Sequence, residues 1–275
     1  MARKTTLETI WYIPDDLWDK VRPLLGREKK AGTVGRPCVP HRTCLDGILF
    51  VLRTGCQWKR APREFGSGST LHRRFQQWVG RGTFKRIWRL LLKEYDGARG
   101  IRWRWQAIDS ATTKAPLGGE ATGKSPVDRG KLGTKRHTLT DQRGAPIGLE
   151  VTGANRHDSR AVGATLESIP VKRPAMGAAG EQQHLTADKG YDYPAVRHTL
   201  LRRGYTAHIP KRDGQPPKQR GKRRYKPKRW VIERTHSWTN RYRRLLVRWE
   251  KKEANYVALV HFAFAINLYR LIFLG

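Results

Sequence analysis

Trp105-Gln106-Ala107-Ile108-Asp109-Ser110 runs an apolar strand into an aspartate, and His184-Leu185-Thr186-Ala187-Asp188-Lys189-Gly190 repeats that design further on. Two aspartates at neighbouring strand ends can bridge divalent ions, and Glu233, on a helix laid across the sheet, can complete the shell. All-oxygen ligands suit Mg²⁺ or Mn²⁺. These acids persist in a chain with 56 Lys and Arg against 23 Asp and Glu, a formal charge of +33. Such an excess predicts a polyanionic partner, and carboxylates kept in that background are candidates for holding metal against phosphate. The expected activity is therefore an enzymatic one on nucleic acid.

Around these two strands the period is that of an α/β unit. Trp103 to Ile108, Arg136 to Thr140 and Pro146 to Val151 read as strands, with the turn Asp141-Gln142-Arg143-Gly144 between the last two. A helix follows Asp158. A strand ending near Asp188, a helix over 194–203 and a strand at Ala207 to Ile209 come next. A meander followed by alternating strands and helices predicts a mixed sheet flanked by helices. From Trp230 a helix carries Glu233, Ser237, Asn240 and Arg244 on one stripe, and a last helix near 254–273 closes the core.

Residues 14 to about 95 read instead as helices joined by Gly-containing turns. Pro14-Asp15-Asp16 starts one, and Cys44, Leu45, Ile48, Leu49 and Leu52 line a second that stops near Gly55. A third begins near Ser69-Thr70 and turns Leu71, Phe75, Trp78 and Val79 inward. It follows Ala61 to Phe65 across the Gly66-Ser67-Gly68 turn, the order of a helix-turn-helix. Ser69, His72, Arg73, Gln76 and Gln77 then face a major groove, unless they are only the solvated face of a bundle helix. The chain divides into a helical DNA-binding region, 1–98, and a catalytic region, 99–275.

Residues 211–229 hold ten Lys or Arg and three Pro, with Asp213 the one acid. Nothing there can be buried, so the segment is expected to follow a DNA backbone. Cys38, Cys44 and Cys56 lack Cys-x-x-Cys spacing and read as reduced thiols, which with the absence of an apolar leader predicts a cytoplasmic protein. The apolar stretch from Tyr256 to Leu274 is broken by His261, Asn267 and Arg270 and reads as a buried helix, so no membrane partner is expected.

Taken in order, these motifs resemble bacterial insertion-sequence DDE transposases, specifically the insertion-sequence family numbered five. Gly47-Ile48-Leu49-Phe50-Val51-Leu52-Arg53-Thr54-Gly55-Cys56-Gln57-Trp58 is similar to that family's N-terminal helical domain. Ile108-Asp109-Ser110, Ala187-Asp188-Lys189-Gly190-Tyr191-Asp192 and Val231-Ile232-Glu233-Arg234-Thr235 look like its three acidic motifs. The resemblance covers about residues 8 to 272. It implies a ribonuclease H-like catalytic domain in which Asp109, Asp188 and Glu233 bind catalytic Mg²⁺, with Mn²⁺ as the alternative ion. It also implies cleavage of double-stranded DNA at terminal inverted repeats, joining to target DNA, a homodimer on DNA, and association with the nucleoid. Around Glu233, Arg229 stands at the family's Arg position, whereas the Tyr and Lys positions are Lys226 and Asn240, with Tyr225 and Arg241 each one residue away.

Gly118-Gly119-Glu120-Ala121-Thr122-Gly123-Lys124-Ser125 satisfies the phosphate-binding-loop pattern, but Pro116 before it and Pro126, Gly130 and Gly133 after it exclude the strand and helix such a loop needs. In the resembled family this is a basic loop, which assigns Lys124, Arg129, Lys131 and Lys135 to DNA phosphates. Arg229, Arg241 and Arg244 complete the expected DNA-contacting set. His157-Asp158 reads either as a proton relay or as a turn in which Asp158 caps the next helix, and Tyr191 as a less favoured nucleophile. Two other readings stay open: a metal nuclease that cleaves without joining, and a non-catalytic DNA-binding protein or transposase remnant.

Overall fold

The central sheet is mixed, and its strand order decides where the acids lie. The computed structural model describes residues 10–28, 37–174, 182–212 and 229–273. Most of the basic tract, including Tyr225 and Lys226, lies outside the described residues.

Among the described residues four helices come first: α1 (Asp15–Val21), α2 (His41–Thr54), α3 (Gly68–Gly80) and α4 (Thr83–Arg99). Their ends follow local chemistry. Gly55 closes α2 at φ +72, donating its N–H to Val51, a left-handed cap that a side chain would strain. The Ser67 hydroxyl accepts from the Thr70 N–H and starts α3. Before it, Arg63–Phe65 is a single 3-10 turn rather than a full helix.

Strand β1 (Trp105–Lys114) pairs antiparallel with β3 (Leu132–Asp141) from Gln106↔Asp141 to Lys114↔Gly133. The two-residue β2 (Gly123–Lys124) and β4 (Pro146–Gly153) both pair with β3, on its far side from β1. On its other flank β1 runs parallel to β5 (Gln183–Thr186), and β5 parallel to β6 (Tyr205–His208). Helices α5 (Val162–Glu167) and α6 (Pro194–Arg202) pack on β4 and β6, while α7 (Trp230–Asn240) crosses β1 and β3.

The last helix, α8 (Glu253–Phe273), is long and apolar enough to cross a membrane, yet 78% of its apolar window is buried. It packs along α4, with the Trp88 ring stacked on His261 at 4.8 Å and Phe84 against Phe262 at 5.4 Å. The Trp88 indole N–H also donates to the Pro146 carbonyl of β4 at 3.0 Å. Phe84, Trp88, Leu91, Phe262 and Phe264 are all essentially buried. Together they contribute roughly 10 kcal/mol of apolar burial before conformational entropy is set against it. Helical region and sheet thus share one core.

Candidate active site

Asp109 lies in the middle of β1, not at its end as the apolar pattern predicts. The strand continues through Ser110-Ala111-Thr112-Thr113 because β3 supplies its hydrogen bonds the whole way. The parallel ladder to β5, by contrast, stops at Ala107↔Thr186. Beyond that register β1 has no parallel neighbour, and Asp109 follows at the carboxyl ends of the parallel strands, the usual ligand position in open α/β sheets.

Asp109 has its side chain 24% exposed. Asp188 lies two residues past β5, close enough for its charge to act on Asp109. Its Oδ1 accepts the Gly190 N–H at 2.8 Å, which folds the carboxylate over the 3-10 turn Lys189–Tyr191. A Cβ at position 190 would stand 2.9 Å from that oxygen, so glycine leaves room for the turn. The Asp109 carboxyl is pushed up to about 6, chiefly by burial. The Ser110 N–H opposes that rise, Asp188 and Asp158 add to it, and Arg229 offsets part of it.

Three further side chains lie close to the pair: Asp158 and Tyr191, both of which the sequence had singled out, and His236, which it had not. Asp158 does not cap the next helix; that role falls to His157, whose ring accepts from the Ser159 N–H. Asp158 instead turns inward, taking the Lys135 ammonium at 2.8 Å and lying 4.0 Å from His137 Nδ1. Burial lowers the His137 pKa to about 4, so that ring is neutral at pH 7. On α7, His236 follows Glu233 by one helical turn and brings Nε2 to 3.8 Å from Asp109 Oδ2. Burial and then Arg136 hold its pKa near 4. Tyr191 is fully buried, and burial followed by the charges of Asp158, Asp109 and Asp188 raises its phenol well above the ordinary range. A buried phenol held protonated is no nucleophile.

Glu233 lies in the first turn of α7 and is exposed. Among the described residues no three His, Cys, Asp or Glu side chains converge tightly enough to cage an ion. The residues present fit a hard divalent ion as an open half-site: two repelling, part-buried carboxylates, whose repulsion a cation relieves.

Of the expected DNA contacts, Ser69, His72, Arg73 and Gln77 are exposed on α3, and Gln76 is half-buried. The His72 ring packs on Trp58 at 5.3 Å. Lys124, Arg129, Lys131 and Arg241 are exposed, and Arg229 is half-buried beside α7. Two assignments are corrected. Lys135 is held by Asp158 and the Arg156 carbonyl, with 15% of its side chain exposed. Arg244 is buried, pairing with Glu250 at 2.8 Å and donating to the Cys56 carbonyl, because α7 ends at Asn240 and breaks the expected stripe. The phosphate-loop pattern falls on a turn and the short strand β2, with no helix after it.

Sheet order and carboxylates together define a ribonuclease H-like catalytic domain. Residues 104–268 match the family model described as "Transposase DDE domain", and residues 13–88 match "Putative transposase of IS4/5 family". The chain belongs to the DDE transposases of bacterial insertion sequences. It is 36% identical over 132 residues to the "Putative transposase for insertion sequence element IS402" of Burkholderia cepacia, a match covering 48% of this chain and 60% of that protein. The "Insertion element IS402 uncharacterized 16.2 kDa protein" of the same organism is 37% identical over 118 residues, 42% of this chain and 80% of that one. The chain thus spans less than two thirds of the first of these relatives. Among solved structures, the catalytic domain of Mos1 mariner transposase aligns at 13% identity with a TM-score of 0.30, over 67% of this chain and 88% of that one. A superposition that loose carries no argument.

Proposed function

We propose that the chain binds the ends of an insertion element and catalyses metal-dependent cleavage and strand transfer of double-stranded DNA. The observation that supports this best is the meeting of Asp109 and Asp188 where the β1–β5 ladder stops. Divalent ions, Mg²⁺ or Mn²⁺, bound by these acids and Glu233 would supply a Lewis acid for the attacking water or 3′-hydroxyl and for the leaving oxygen.

The chain's own groups set the conditions. Asp109 gives up its proton as positive charge enters the site, Asp188 is pre-positioned by the Gly190 N–H, and Lys135 keeps the nearby Asp158 compensated. Arg229 adds positive charge next to Asp109, where a phosphate would approach. Residues 1–98 serve as the helical DNA-binding part and 99–275 as the catalytic part. The exposed face of α3 and the loop bearing Lys124, Arg129 and Lys131 contact the duplex. Pairing two element ends calls for a homodimer on DNA, acting in the cytoplasm at the nucleoid.

The test is Mg²⁺-dependent cleavage and joining on DNA from either side of the gene, comparing wild type with Asp188→Asn. Joined product lost in the variant, with DNA binding intact, supports the reading. Cleavage without joining points to a nuclease. Equal binding with no product from either protein, on intact terminal repeats, overturns catalysis.

A further inference from the structure

Arg53, in the last turn of α2, is a buried cation to which the catalytic site gives no task. It is 6% exposed, and its guanidinium Nε and Nη2 are sealed from solvent without a hydrogen bond. Among the described residues it stands apart in this: buried Arg136 donates to Asn240, Arg244 pairs with Glu250, and Arg248 donates to the Glu120 and Glu250 carbonyls, whereas Arg53 has neither a hydrogen bond nor an ion pair. Two rings flank it instead, Tyr242 at 5.1 Å and Trp11 at 5.7 Å. Those faces and the carboxyl end of α2 offset part of the cost of burying a cation. They do not supply the acceptors that guanidinium N–H groups need.

The surroundings narrow the kind of acceptor that is missing. The charged neighbour acting on Arg53 is a second cation, Arg270, and no carboxylate acts with it. Exposed Arg241 joins them in acting on Tyr242, and a Cβ on Gly55 would stand 3.2 Å from the backbone of exposed Arg243. Four arginines thus gather without an acid, which fits a ligand of repeated negative charge. Trp11 is itself 45% exposed, so rotation of that ring uncovers the guanidinium. The place also suits DNA. Tyr242 follows the end of α7, and from Glu233 to Asn240 that helix runs about 10 Å at 1.5 Å per residue, so one duplex held at the acids can meet Arg53 as well.

We propose that Arg53 binds a backbone phosphate of the DNA engaged at the catalytic acids, taking it as the Trp11 ring turns aside. This rests on the reading of the chain as a binder of double-stranded DNA. Arg53 adds one charge-assisted contact to that binding and takes no part in the chemistry.

The experiment is binding of the full chain, in EDTA, to duplex DNA from either side of the gene, followed by fluorescence anisotropy as salt rises. Arg53→Met keeps an apolar stem between the rings and removes the charge. It is expected to lower the slope of log affinity against log salt by about one and to weaken binding roughly tenfold. Its urea midpoint should be no lower than that of wild type, because an unpaired buried cation has gone. Arg53→Lys keeps the charge and should keep the slope, and Arg53→Gln carries the same test if the Met variant does not fold. A slope unchanged in the charge-free variants overturns the proposal, leaving the cation to serve the two rings alone. Equal loss of slope in the Met and Lys variants also overturns it, since distortion and not charge would then be the cause. Wild type that fails to bind the duplex overturns the DNA-binding reading as well.

Discussion

Replacing Asp109 by Asn should make the metal-free protein more stable at neutral and alkaline pH. The Asp109 carboxyl rises from its ordinary 3.8 to about 6, first because it is buried and further because Asp188 and Asp158 are close. Between those two values the native state holds a proton that the unfolded chain has released, so stability falls as pH rises through that window. Above pH 6 the penalty is complete. At about 1.4 kcal/mol per pH unit, ionised Asp109 costs the fold about 3 kcal/mol. Asn keeps the shape and the oxygen that accepts the Ser110 N–H, and removes the charge. Urea unfolding in EDTA should show the variant about 3 kcal/mol more stable at pH 8, the gain shrinking steadily from pH 6 to pH 4. Saturating Mn²⁺ should then stabilise wild type and not the variant, because only the native wild-type site binds the ion. A variant no more stable than wild type at pH 8, or a gain unchanged at pH 4, refutes the reasoning.

Arg248 is 1% exposed and spreads its guanidinium over the carbonyls of Glu120, Ala121 and Glu250, with Tyr256 beneath it. Lysine cannot reproduce that fork, so Arg248→Lys should lose roughly 3 kcal/mol by urea denaturation, and near-neutrality would show the network to be dispensable. Lys135 and Asp158 are partly buried partners, so a double-mutant cycle of Lys135→Met and Asp158→Asn should give a coupling of about 1 to 2 kcal/mol, less than for a fully buried pair. Additive losses would show that the two do not rely on each other.

The sequence was most readable where the signal is local. The Gly55 stop, the start of α3 and the apolar stripes of α2 and α8 follow from capping and helical period, and the structure has them. The two aspartate motifs were readable for the same reason, as an apolar run meeting a carboxylate. The length of β1 was not, because four of the five residues from Asp109 to Thr113 are polar and only pairing with β3 makes them a strand. Asp158 was read only as one of two alternatives, a relay or a helix cap, and His236 was not read as a neighbour of the acids at all. Each is one titratable side chain on an ordinary element, and only the chain's return to β1 brings them near Asp109. Arg244 misled for the opposite reason: its place on an extrapolated helix face concealed a buried partner, Glu250, six residues later.

The seam between α4 and α8 also has a consequence in time. Arg99 leaves the ribosome 154 residues before Glu253. At about 5 to 20 residues per second, the face bearing Phe84, Trp88 and Leu91 waits roughly 10 to 30 seconds for its cover. Throughout that interval the nascent chain displays aromatic surface above a strongly basic body. Chaperones and nearby polyanions therefore meet the newborn protein before its own last helix does.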